Sequence, residues 1–361
     1  MIICRAKVAI LARILFLLTS SNAQTSTSCN PLDTTCSADT ALGKSISVDF
    51  TSGASDLFTG SGDPTYGSDG VVLTVSESGD APTLTSTFYI MFGRVEVSLK
   101  AATGDGIVSS LVLLSDDLDE IDAEWMGYDG ANLQTMYFDQ GVGPSSRLNI
   151  VPVANNQEEF IDYALDWTSE RIEWIASGTV LRTLEAGNAS TSEYPQTPMQ
   201  VKLGAWSAGD SDTNAEGTVE WAHGPTNYSQ GPFNMYVKSI KVTDYSTGNQ
   251  YEYGDTTGSW KSIVAVDGTI NGNLDSVASL SVTATMTATA TASNIPTSGI
   301  GGIGGGSSTT DVPKGWTMTT SGKVVPSSSV AVKFDVFFNV LHRYLFVSVV
   351  QYYFVNADHS C

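Results

Sequence analysis

The chain has 361 residues, with 38 acidic side chains against 17 basic ones and a formal net charge of −21. So acidic a polymer repels phosphate backbones and anionic lipid, which argues against nucleic acid or a charged membrane surface as the partner. The balance fits a soluble extracellular protein with a neutral ligand, built as one large domain or two plus tails.

The N-terminus, MIICRAKVAILARILFLLTSSNAQ, begins with basic residues Arg5, Lys7 and Arg13, continues through ILFLL, and ends in Ser21-Asn22-Ala23. This order predicts a secretory signal peptide over 1–23, cut near Ala23. The alternative, a membrane anchor, has too short an apolar run, and Arg13 interrupts it. Of four cysteines, Cys4 leaves with the leader and Cys361 is the last residue. Cys29 and Cys36, in CNPLDTTC, are expected to pair in an oxidising compartment and pin the start of the mature chain. Two clustered ligands with no His nearby make a poor zinc site, and no metal is expected.

Residues 24–270 read as one all-β domain. Alternating runs such as GVVLTVSES, GRVEVSLKA, RIEWIASGTVLRTL and MYVKSIKVTDYS are rich in β-branched and aromatic residues, with Gly, Asn, Asp and Pro between them. Many short strands predict a sandwich of antiparallel sheets, with no helix of ordinary length.

One strand stands out. In GIVSSLVLLSDDLDEIDAEWMG, Glu120, Asp122 and Glu124 alternate with Ile121, Ala123 and Trp125. A period of two puts all three acids on one face and the apolar set on the other. The outer Cα atoms are about 13 Å apart, at roughly 3.3 Å per residue. Two glutamates leaning together on a concave sheet approach the ~5–5.5 Å of a retaining glycosidase, and an inverting pair at ~6.5–9.5 Å fits as well. Such a pair divides the work: one carboxylate attacks, while the other holds a proton for the leaving oxygen because neighbouring charge raises its pKa. Asp122 supplies that charge and can orient a glutamate. Two readings stand against catalysis: a solvated acidic edge, and an irregular Ca²⁺ site lacking the EF-hand pattern.

Further along, Trp167 and Trp174 in LDWTSERIEW are expected in the core. Trp206 and Trp221, flanked by Gly- and Asp-rich loops, are better groove candidates for stacking on sugar rings, and Trp125, Tyr137, Phe138 and Tyr228 lie in or near strands. Asn188-Ala189-Ser190 and Asn227-Tyr228-Ser229 are candidate glycosylation sites. His223, the one His of the folded region, reads as a turn residue rather than part of a triad or metal site. No phosphate loop or dinucleotide fingerprint is present, so no cofactor is expected. Residues 271–330 are Ser/Thr/Ala/Gly-rich and read as a disordered, O-glycosylated stalk. Residues 331–361 are apolar but broken by His342 and Arg343, and read as a degenerate GPI-attachment signal, with a membrane helix or a gene-model artefact as alternatives.

These stretches resemble glycoside hydrolase family 16, and more narrowly the fungal Crh-type cell-wall transglycosylases. The similarity runs through CNPLDTTCSADTALG, the DEIDAE strand, YALDWTSERIEW, YPQTPMQVKLGAWSAGD, GTVEWAHGPTNYSQGPFNMYVKSIKVTDYSTG and YEYGDTTGSW, covering roughly residues 29–263. The resemblance implies a β-jelly-roll sandwich with a concave cleft, Glu120 as nucleophile, Asp122 as assisting acid and Glu124 as general acid/base. It further implies a retained configuration through a covalent glycosyl-enzyme, resolved by an acceptor sugar or water. Lys202, Trp206 and Thr218 fall on stretches similar to the family's sugar-binding positions, and Gln134-Thr135, Tyr137 and Trp221 join them as candidates. The implied partners are chitin and β-glucan. The implied protein is a secreted monomer at the wall or cell surface, membrane-linked only through the GPI signal. A wall lectin without turnover is the alternative, and a structural mannoprotein displayed on its stalk is a third. Met136, Asp139, Ile161 and the WIASG turn depart from the family pattern, and so does Ala123. Met136, Asp139 and Ile161 are expected to alter cleft contacts, and Ala123 only packing.

Overall fold

The computed structural model describes residues 27–187 and 193–274, and the backbone of 316–318 and 324–326. The leader, the Asn188 sequon and nearly all of the stalk and tail lie outside the described residues. Two antiparallel sheets pack face to face. The first runs, edge to edge, through Asn149–Pro152, Asn132–Phe138, Glu120–Met126, Ile107–Ser115, Met199–Ser207, Thr83–Ile90 and Phe58–Ser61. The second runs through Thr179–Glu185, Arg171–Ala176, Ile161–Trp167, Gly93–Lys100, Phe233–Asp244, Gly70–Val75 and Thr65–Gly67, with Ser45–Asp49 also on Phe233–Asp244. A three-stranded patch, Asp39–Thr40, Gln250–Tyr253 and Ile263–Val266, completes the domain. Near it, Cys29 and Cys36 are joined by a disulfide.

The sequence alternation maps onto the layers. Gly93–Lys100 alternates buried and half-buried along its length, as a strand with one covered face must. Ile107–Ser115 is buried throughout. Its Leu111 and Leu113 enter the core between the sheets, while Ser110, Val112 and Leu114 take the other face. Trp125, Trp167 and Trp174 are fully enclosed, each contributing on the order of 2–3 kcal/mol of apolar burial. The WIASG stretch turns tightly at Ser177 and Gly178, both with positive φ, the geometry that matches strand twist in a two-residue hairpin.

Among the described residues a six-residue α-helix spans Glu216–Trp221. No helix among them is long and apolar enough to cross a membrane. Ile161 differs from expectation. It opens a strand of the second sheet, pairs with Leu99 and packs on the core, so it has no place in the cleft. Ala123 is buried in the core, where its small side chain bears on packing.

Candidate active site

The strand Glu120–Met126 lies between Ile107–Ser115 and Asn132–Phe138, and the registers fix what surrounds each acid. Glu120 stands between Leu114 and Phe138, Asp122 between Val112 and Met136, and Glu124 between Ser110 and Gln134. One strand further, Lys202 lies opposite Val112, Gly204 opposite Ser110 and Trp206 opposite Val108. Ile121, Ala123 and Trp125 belong to the core on the reverse face. The three acids therefore share the outer face of the first sheet.

Local structure explains how the strand is aimed. A tight turn joins it to Ile107–Ser115, with Leu118 in the left-handed region at φ 68°. That conformation costs a non-glycine residue roughly 1–2 kcal/mol. Asp119, the fourth carboxylate of DEIDAE, holds the turn. Its Oδ1 accepts from the Gln140 N–H at 3.0 Å, and its Oδ2 from the Gln196 N–H at 2.7 Å and Thr197 Oγ1 at 2.8 Å. Its own N–H donates to Ser115 Oγ. Asp119 thus ties three chain segments to the residue before Glu120. From the second sheet, Trp174 Nε1 donates to the Asp122 carbonyl at 2.8 Å, so this core tryptophan anchors the middle of the acidic strand.

The electrostatics separate the three carboxyls. Burial is the largest cause in each case. It pushes Glu120 up to about 7, against the opposing hydrogen bond from Asp122 and the positive charge of Lys202. Glu124 is pushed up to about 8 by burial and by the charge of Glu120. Asp122 is raised well above the carboxylate range by burial and by Glu120 and Glu124 on either side. Asp122 and Glu120 are hydrogen-bonded carboxyl to carboxyl, and Asp122, the weaker acid, holds the shared proton and donates it. All three carboxyls are thus biased toward their protonated forms, and Glu120 alone has a cation, Lys202, opposing that bias. Glu124 alone of the three keeps solvent exposure. An ionised nucleophile beside a protonated acid is the division of labour that glycosidic cleavage requires.

The other candidates divide between faces. Trp206, Val108, Met126, Ala208 and Ala222 form a second apolar cluster, with Tyr128 and Trp221 packed against it. The Trp206 and Trp221 rings are 6.3 Å apart and tilted, and Trp221 Nε1 donates to Gln134 Oε1 at 3.0 Å. Lys202, Trp206, Trp221 and Gln134 are thus brought to the acids' face. Thr218 rides on the short helix with Trp221.

Tyr137 and Thr135 are not brought there. Tyr137 pairs with Ile121, lies in the core, and is flanked by the Arg147 and Arg182 guanidinium groups. Thr135 pairs with Ala123, and its hydroxyl lies 2.8 Å from Arg182 Nη1 and donates to the Asn149 carbonyl. Both belong to the closure between the sheets, and parity along the strand is the reason. His223 is exposed, has positive φ and stacks on Tyr128. Asn227 is exposed and caps a short turn by accepting from Ser229. Among the described residues, no group of three or more His, Cys, Asp or Glu is arranged to hold a metal ion. The contribution of Asp119 was open to inspection in DEIDAE, since it alone breaks the alternation. That of Trp174 had no sequence signal.

Residues 51–223 match the model of the glycosyl hydrolases family 16. The chain is 52% identical to Crh-like protein 4 of Botryotinia fuckeliana over 86% of this chain and 88% of that protein. It belongs to the Crh-like proteins of glycosyl hydrolase family 16. Against Crh-like protein 4 of Aspergillus fumigatus it is 48% identical over 78% of this chain and 64% of that protein. A solved apo Crh5 transglycosylase superposes with a TM-score of 0.64 at 44% identity, covering 66% of this chain and all of that one. The same enzyme in complex with NAG gives 0.63. The acids' face accordingly lies on the sandwich of a carbohydrate-active family.

Proposed function

We propose that this Crh-like chain is a cell-wall transglycosylase that cleaves chitin or β-glucan with retention and transfers the released end to a β-glucan acceptor. The observation that carries the reading is the placing of Glu120, Asp122 and Glu124 on one face of one strand, where burial raises the proton affinity of all three. Kinship with the Crh-like proteins and a solved relative bound to NAG support the substrate class.

In the first step Glu120 attacks the anomeric carbon, and Glu124 gives its proton to the departing glycosidic oxygen. The result is a covalent glycosyl-enzyme and a freed sugar hydroxyl. Asp122 donates its hydrogen bond to the Glu120 oxygen that stays free. In the second step Glu124, now ionised, takes the proton of an acceptor hydroxyl, which displaces Glu120 and restores the configuration. Lys202 attracts Glu120 and favours its ionised form. The Trp206–Trp221 pair offers an aromatic wall for sugar rings. Secretion, wall location and a GPI anchor belong to the same proposal and rest on the sequence outside the described residues.

The test incubates the secreted protein with a chitin oligosaccharide donor and a fluorescent β-glucan oligosaccharide acceptor, alongside a Glu120→Gln variant. A labelled product longer than the acceptor, absent with the variant, is expected. Shortened donor with no labelled adduct would make the chain a hydrolase. Binding with neither product would make it a wall lectin.

A further inference from the structure

The Glu216–Trp221 helix ends in a Schellman closure. The His223 N–H donates to the Glu220 carbonyl at 3.0 Å, and the Gly224 N–H to the Val219 carbonyl at 2.7 Å. The residue after the cap of such a helix takes a left-handed backbone, where glycine is usual because a Cβ is strained there. Here that residue is His223, at φ 58°. Its imidazole lies flat on the Tyr128 ring, with centroids 3.7 Å apart and 5° between the planes. The phenol covers one face of the imidazole, so the exposure of His223 comes from the other face and the edge. Neither ring has a part in the reaction proposed above.

We propose that the Tyr128–His223 stack is a further subsite for a β-linked glycan, a flat platform for a sugar ring some units away from the cleaved bond. This rests on the glycan-transferring function proposed above. Met126, Val108 and Trp206 stand in one row across the strands, beside the row of Glu124, Ser110 and Gly204. They therefore share the acids' face, and Tyr128 and Trp221 pack against them. The stack thus continues the Trp206–Trp221 wall at the Glu124 end of the acidic strand. Tyr128 follows Glu124 by four residues, a reach of up to about 13 Å at 3.3 Å per residue. The platform is met by an oligosaccharide that extends past the acids, not by one confined to them. Both rings are held in place. The Asp129 N–H closes a turn onto the Met126 carbonyl at 2.9 Å, and Gln157 Nε2 donates to the Met126 and Gly127 carbonyls. The helix closure fixes the backbone of His223. A ring fixed before binding loses little rotamer freedom when a sugar settles on it. Pyranose C–H faces pack on aromatic faces, and the imidazole edge carries nitrogens able to pair with a sugar hydroxyl. A left-handed, non-glycine residue with an exposed ring keeps backbone strain at the surface, as ligand-binding positions do.

The experiment measures equilibrium binding of chitin and β-glucan oligosaccharides by calorimetry. Every protein is the full secreted chain carrying Glu120→Gln, so that turnover does not disturb the titration. His223→Gly removes the ring and suits the left-handed backbone, while His223→Phe keeps a flat ring. His223→Gly is expected to bind the hexasaccharide of at least one of the two glycans about tenfold more weakly, and the disaccharides of both within about twofold of the parent. His223→Phe is expected to hold hexasaccharide affinity within about threefold. The melting temperature of His223→Gly is expected to equal or exceed that of the parent, because glycine relieves the strained backbone. Unchanged hexasaccharide affinity in His223→Gly overturns the proposal. So does an equal loss for disaccharide and hexasaccharide with a lower melting temperature, which would make the stack a brace for the fold. A parent that binds neither glycan would overturn the proposed function together with this subsite. A parent that binds them equally well with and without the ring overturns the subsite alone.

Discussion

The outer faces of the two sheets treat their carboxylates in opposite ways. On the second sheet, acids and bases alternate across strands. Lys241 lies opposite Glu96, and Arg94 opposite Asp166. Arg94 contacts Glu96 at 3.2 Å and Asp166 at 3.0 Å, and Lys241 contacts Glu96 at 3.1 Å. Burial would raise Glu96, but Arg94 and Lys241 outweigh it and hold its carboxyl below the usual range. On the first sheet, Lys202 opposes the rise of Glu120 alone, no cation offsets Asp122 or Glu124, and all three rise. A paired carboxylate is an ordinary surface charge, whereas buried, poorly paired ones trade stability for proton chemistry.

The sharpest break in that comparison is Glu124→Gln, which removes the proton donor of the proposed reaction while leaving shape and the proposed nucleophile in place. Transfer from an unactivated oligosaccharide is expected to fall by about 10²–10⁴-fold. Formation of the glycosyl-enzyme from a donor with a nitrophenol leaving group should suffer far less, because that group departs without a proton. Burst kinetics on the two donors would reveal it, and equal losses on both would take the acid role away from Glu124.

Stability should respond to pH on the next scale. In the unfolded chain Glu120 and Glu124 titrate near 4.5, and in the folded protein near 7 and 8. Between those limits the folded state binds more protons than the unfolded one, so stability falls as pH rises. Asp39, pushed up to about 8 by burial, and Asp244, pushed up to about 7 by burial, act in the same sense. The melting temperature is expected to drop by several degrees from pH 5 to pH 8, and by less in Glu124→Gln, whose amide does not titrate. Calorimetry across that range would show it. A melting temperature that climbs over the same interval would mean the cleft acids are compensated after all.

The smallest effect belongs to the paired face. Glu96→Gln removes a partly exposed ion pair and should cost about 1 kcal/mol or less in urea denaturation. Its contribution has the reverse sign with pH: it is present above the unfolded value and lost as pH falls through the depressed folded one. Transfer activity should not change. A loss of activity there would show that the two faces are coupled through the core.

The sequence by itself was enough to place Glu120, Asp122 and Glu124 on one face, because the two-residue period of a strand is a property of the local backbone. It was enough for the all-β class and for the apolar set Ile121, Ala123 and Trp125 behind the acids, for the same reason. The register was another matter. Tyr137 and Thr135 read as cleft candidates, yet parity turns them inward, and that parity exists only once Tyr137 is aligned with Ile121. Ile161 belongs to the far sheet, and no local pattern says which sheet a strand will join. Asp119 looked like a fourth member of the acidic run, but segments reaching from Gln140, Gln196 and Thr197 make it a structural tie. Lys202 comes to the acids from some 80 residues away, and Trp174 from the opposing layer. Charge, proton affinity and orientation at the site depend on these distant neighbours and on exclusion of water, so folding decides them, while chain stereochemistry fixes the spacing of the acids.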